Sequence, residues 1–176
     1  MRTASITLAL LLRTATGYAA ENAEHEKMET EEAAKNAPAL AAVLKEAKVS
    51  LANGIKASEK EGKPISGKFE LEDGKLQLSV YTMKGDEFFE VVVDHKNGKV
   101  VKTEPITSGD DFEAAKKQAE AMAKAKRSLH EVVLKAEKAH AGYKAVSVAP
   151  EIENGAAEAE VALLKGSQSK TVDERL

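Results

Sequence analysis

Residues 66–102 read SGKFELEDGKLQLSVYTMKGDEFFEVVVDHKNGKVVK, and three turn signals divide them: Glu-Asp-Gly at 72–74, Lys-Gly-Asp at 84–86 and Lys-Asn-Gly at 96–98. Short runs rich in β-formers lie between the turns, the pattern of an antiparallel meander of hairpins. Strict alternation places Ile65, Phe69 and Leu71 on one face of the first strand, Leu76, Leu78 and Val80 on one face of the second, and Phe89, Val91 and Val93 on one face of the third. Tyr81, Met83, Phe88 and Val92 then fall on the opposite face. Lys99–Thr103 is a short fourth strand after the Asn-Gly turn.

Helical patterns flank the meander. From Ala39 to about Gly62, the residues Leu40, Val43, Leu44, Leu51 and Ile55 recur at helical steps after Pro38. Pro105 to Gly109 reads as a linker, with Ser108 and Asp111 resembling a capping box. A helix is then expected from about Asp110 to Ala141, with an apolar face running through Phe112, Ala115, Ala119, Met122, Leu129, Val132, Val133 and Ala136. Gly142 is its expected C-cap. The remainder alternates again through Val146 and Val148, then Ala157, Ala159, Val161 and Leu163, then Val172.

The two halves share an order of turns. Leu71-Glu72-Asp73-Gly74-Lys75 corresponds to Ile152-Glu153-Asn154-Gly155-Ala156 at an interval of 81 residues, which also relates Val80 to Val161 and Lys84-Gly85 to Lys165-Gly166. Dropping two residues from the next turn relates Val93-Asp94 to Val172-Asp173. Upstream, Ser50-Leu51 matches Ser128-Leu129 at a nearby interval. The expected fold is therefore α+β: two tandem modules, each one helix packed on a small antiparallel β-meander, at 38–106 and 107–176. In the second the sheet is incomplete.

The helix, the meander and the phrase Phe89-Glu90-Val91-Val92-Val93-Asp94-His95-Lys96-Asn97-Gly98-Lys99-Val100 together resemble the PepSY domain family. The resemblance covers residues 38–106 throughout. It covers 112–176 less well, because that copy stops at Val172-Asp173-Glu174-Arg175-Leu176, where the family continues into a Gly turn and a last strand. The resemblance implies an exported or membrane-attached setting and a role in binding and restraining peptidases. It carries no catalytic residues.

Composition narrows the function. The formal net charge is −3, with 31% charged residues of both signs interspersed, which argues against a general nucleic-acid binder. The chain has no Cys, so disulfides, thiolate metal sites and Cys nucleophiles are excluded. Arg2, the apolar run Ile6–Leu12 and the small residues around Tyr18-Ala19-Ala20 read as a signal peptide over residues 1–19, with cleavage after Ala19 or Ala20. The run is much shorter than the ~20 residues of a membrane span. Loss of that segment and its two Arg takes the formal charge to −5. An acidic flexible segment is expected over residues 20–37. The protein is expected to be periplasmic or extracellular.

No catalytic centre, cofactor site or metal site is legible. His25, His95, His130 and His140 form no i,i+4 ligand pair. Asp94-His95-Lys96-Asn97-Gly98 has Lys where a second Ca²⁺ ligand belongs, and reads as a turn. No phosphate-cradling glycine motif occurs, and Ser66 and Ser108 lack a nucleophile-elbow context. Asp110-Asp111 sits at a helix start, where capping and the helix dipole explain it.

The feature with functional weight is the second apolar face: Tyr81, Met83, Phe88 and Val92. Either the second half of the chain or a twin subunit covers it, or it binds a partner. The expected function is a non-enzymatic exported binding protein whose protein partner is a secreted peptidase, acting by occlusion. The alternatives are a structural or sensory envelope module acting through self-association, as a homodimer, and a periplasmic small-molecule or metal binder.

Overall fold

The computed structural model describes residues 38–176, so the signal peptide expected at 1–19 and the acidic segment at 20–37 lie outside the described residues. The described chain begins in helix, α1 (38–43), and passes through a 3₁₀ turn at Leu44–Glu46 into α2 (Leu51–Ser58). Four strands follow: β1 (Lys63–Glu72), β2 (Lys75–Lys84), β3 (Glu87–Val93) and β4 (Val100–Ile106). Next come α3 (Asp110–Lys124), α4 (Leu129–Ala139), β5 (Lys144–Glu153), β6 (Ala156–Lys165) and β7 (Gln168–Arg175).

The class is α+β, as the pattern of hairpins predicts, but the strands form one seven-stranded antiparallel sheet in the order β4-β3-β2-β1-β5-β6-β7. The expectation of a small meander in each half is corrected here to one large sheet. β1 and β5 each begin a meander and each would otherwise leave a row of unpaired backbone groups. They pair with one another instead, through Gly67 opposite Val148 and Lys68 opposite Ser147.

Both long helices expected from periodicity are broken, and by the same device. The first stops at the 3₁₀ turn and restarts where the Ser50 hydroxyl accepts from the Asn53 amide at 3.2 Å. The second turns extended at Ala125 (φ −66°, ψ 140°) and restarts at Ser128. There the Ser128 hydroxyl accepts from the Glu131 amide and the Glu131 carboxylate accepts from the Ser128 amide, a full capping box. A cap satisfies amides that an interrupted helix would leave bare. At the start of α3 the N-cap is Gly109 without a side-chain bond, so the box expected from Ser108 and Asp111 is absent.

α2 and α4 pack on one face of the sheet, here the inner face. Leu51, Ile55, Leu129, Val132 and Val133 are buried there with Leu78, Val80, Val91, Val148, Val161 and Leu163. Gly54 lets α2 lie close: a Cβ there would sit 2.5 Å from Leu78 Cδ2. The hairpin turns Asp73-Gly74 and Asn154-Gly155 all take positive φ (50° and 74°, 49° and 83°), the geometry of two-residue turns that match strand twist. β4 extends to Ile106 and takes in Pro105, which the sequence reading assigns to a linker. Pro is tolerated there because β4 is an edge strand.

The break at 125–128 decides the layering. It carries the chain from α3, on the outer face, to α4, on the inner face.

Candidate binding surface on the outer sheet face

The register brings the four predicted face residues together. Met83 pairs with Phe88, Tyr81 with Glu90 and Ser79 with Val92, so Tyr81, Met83, Phe88 and Val92 share the outer face. They do not form one open patch, because α3 crosses part of that face. The Phe112 ring meets Phe88 edge-on, with centroids 5.7 Å apart and planes at 74°. The Ser66 hydroxyl donates to Gln118 Oε1 at 2.7 Å, and the Lys63 ammonium donates to the Met122 carbonyl at 3.0 Å. Phe88 is left 7% exposed and belongs to the core, with Met83 half-buried beside it. Tyr81 and Val92 remain partly exposed beyond the helix.

A polar network fills the rest of the face. Ser79 is fully buried, and its hydroxyl lies 2.7 Å from Glu70 Oε1 and 2.8 Å from Glu90 Oε1 while accepting from Gln77 Nε2 at 3.0 Å. A hydroxyl has one proton, so Ser79 serves one carboxylate at a time. Lys68 binds Glu70 Oε2 at 2.8 Å and stands 5.7 Å from the centre of the Tyr81 ring. Burial pushes the Tyr81 phenol up to about 12; Lys68 opposes this, and Glu70, Glu90 and Asp111 reinforce it. Burial alone would lower the Lys68 pKa, but Tyr81 and Glu70 outweigh it and hold the amine above its ordinary value. At neutral pH Tyr81 is an uncharged phenol, so Glu70 supplies the support that matters there.

At one end of the sheet, Val92 borders a depression of about 300 Å³ with Gln77, His95 and Val101. Val101 is 62% exposed, the most exposed large apolar residue described. The adjoining turn is the one read from sequence. Asp94 accepts from the amides of Lys96 (2.7 Å) and Asn97 (3.3 Å) and from Asn97 Nδ2 (2.6 Å). These bonds, the Lys96 amide first, hold its carboxyl below the usual range.

The arrangement orients charge and apolar surface. No group of three or more His, Asp or Glu that could hold a metal occurs among the described residues. His140 Nδ1 lies 3.0 Å from the Ala136 carbonyl, a helix-end contact. Sequence reading missed the Ser79–Glu70–Glu90 network. Its signal was present as polar residues at every second position, 66, 68 and 70 on β1 and 77 and 79 on β2. No helix among the described residues is long and apolar enough to cross a membrane. Compared with protein-family models, with curated proteins and with solved structures, the chain matches none of them.

Proposed function

We propose that this chain is an exported, non-enzymatic binding protein built from two tandem PepSY-like modules, which restrains an extracytoplasmic peptidase by occluding it. The observation that carries the reading is the part of the outer face that α3 leaves open. Tyr81 and Val92 flank the buried polar network and lead to Val101 beside the β4 edge. Occlusion of an active site by such a face would bury ~1,200–2,000 Å² in total.

The tandem reading is supported by register. β1 and β2 shift at Pro64/Ser66, β5 and β6 shift at Ala145/Ser147, and the two irregularities are 81 residues apart. Lys84 pairs with Glu87 and Lys165 with Gln168, so the turns after β2 and β6 are equally long. The two-residue deletion inferred from sequence is therefore unnecessary, and Val172 corresponds to Val91 rather than Val93.

The test is inhibition of a thermolysin-like metallopeptidase and of a serine protease by residues 20–176, with Val92→Asp as control. Saturable inhibition that the control loses supports the reading. Absence of inhibition at tens of micromolar with folded, intact protein overturns it for those enzymes. Phe88→Ala is unsuitable as a control because Phe88 is core.

A second reading, an envelope module that self-associates, is favoured by the two sheet edges, β4 and β7, each paired on one side among the described residues. Sedimentation of a stable dimer that Val101→Asp dissociates would support it. A monomer at all concentrations would remove it.

A further inference from the structure

The crossing from α3 to α4 walls a cleft of about 550 Å³ against the end of α2 and the start of β1. That volume lies in the ~300–1,000 Å³ range of small-ligand sites. Its lining includes Ile55, Met122 and Leu129, all buried. Lys63 and the exposed Lys126 and Arg127 also line it.

The charge of the cleft is one-sided. Glu59 is its one acidic lining residue, and Lys56 holds that carboxylate at 2.6 Å. Lys63 and Arg127 donate to main-chain carbonyls, of Met122 at 3.0 Å and of Arg175 at 3.4 Å. Neutral acceptors orient these groups and leave their charge uncompensated. Lys126 pairs with no acid among the described residues. Three cations and three buried apolar residues therefore line one cleft, a combination that favours an anion with an apolar body: a carboxylate gains charge-assisted hydrogen bonds and the body loses contact with water.

We propose that this cleft binds a small organic carboxylate, its head at Lys126 and Arg127 and its apolar body against Ile55, Met122 and Leu129. The site adjoins the outer face, where Lys63 pairs with Met83, but Tyr81, Met83, Phe88 and Val92 do not line it, and its occupation does not depend on a peptidase partner.

The probe is octanoate, followed by amide chemical shifts in the ¹⁵N-labelled full chain, with acetate and octylammonium for comparison. Octanoate is expected to give saturable shifts at Ile55, Met122, Lys126 and Leu129, at least tenfold tighter than acetate, while octylammonium gives none. Charge reversal by Lys126→Glu with Arg127→Glu should weaken octanoate at least tenfold. The same change of net charge at exposed, distant Lys45 and Lys75 (both →Glu) should not. Ala125→Phe, which fills the cleft without altering charge, should also weaken binding. Each variant is scored only if its spectrum shows the native fold. Equal binding of octanoate and octylammonium, unchanged affinity on charge reversal, or no saturable shift at the cleft would each overturn the proposal.

Discussion

Gly67 on β1 lies directly opposite Val148 on β5, and the two residues stand 81 positions apart. That interval also separates Gly74 from Gly155 and Gly85 from Gly166, all of which take positive φ. At the same interval the β1–β2 and β5–β6 ladders repeat one register, Gly67 opposite Val80 and Val148 opposite Val161. Val148 carries a side chain where Gly67 has none. A Cβ at Gly67 would find Ile55 and Leu51 at 3.5 Å, ordinary contact. Gly67→Ala is therefore expected to be neutral or stabilising by up to ~1 kcal/mol, through the smaller entropy of the unfolded chain. Urea unfolding measures it, and a loss of more than about 1 kcal/mol would contradict this packing.

Gly54→Ala should act in the opposite sense. In an open helix the change would stabilise by ~1 kcal/mol. Here the new methyl meets Leu78 Cδ2 at 2.5 Å, and Leu78 is fully buried with little freedom to withdraw. Overpacking of this kind costs about 1–3 kcal/mol. A lowered urea midpoint is the expected result.

The ring contact between Phe88 and Phe112 ties α3 to the sheet. Phe88→Ala should cost about 3–5 kcal/mol as a large-to-small core change. Combined with Phe112→Ala in a double-mutant cycle, the pair should show a coupling of ~0.5–1.5 kcal/mol. Additivity of the two changes would mean that α3 is held without that contact.

Tyr81 should stand out in a tyrosine titration. Its phenol, pushed up to about 12 chiefly by burial, should ionise near that pH in a step that Tyr81→Phe abolishes. Because the folded state holds this proton more tightly than the unfolded chain, the associated stability is fully present below ~10 and is lost as pH rises through about 12. The stability of the native chain should accordingly fall more steeply over that window than that of Tyr81→Phe.

Ser128→Ala removes the cap that turns the chain onto the inner face, and should cost about 0.5–2 kcal/mol near neutral pH. The Glu131 carboxyl is held below its ordinary value by the Ser128 amide and then by its hydroxyl. A depressed folded-state pKa contributes stability above the unfolded value of ~4.3 and loses it as pH falls through the folded value. The difference between native chain and variant should therefore shrink in acid. The Ser128 amide bond to Glu131 survives in the variant, so a constant difference from neutral pH to about pH 3 would show that the Ser128 hydroxyl takes no part in holding Glu131 charged.

Local patterning in the sequence determined the hairpins. Period-two alternation and Asp-Gly or Asn-Gly turns leave little choice of strand face, so the inner residues Leu78, Val80 and Val91 and the outer residues Tyr81 and Val92 were legible before any contact was known. The Ser-Leu pairs at 50–51 and 128–129 were legible as well, but apolar periodicity ran through both caps and hid the breaks they make. Tertiary structure alone decided the rest. Whether β1 and β5 share a ladder depends on backbone groups that every residue carries, so side-chain pattern is silent on it. Whether α3 covers Phe88 depends on how that helix packs on the sheet, and whether Lys63, Lys126 and Arg127 line one cleft depends on the break at 125–128, which sets residues some 60 positions apart beside one another. Such encounters reflect the packing of whole elements, which no local period encodes.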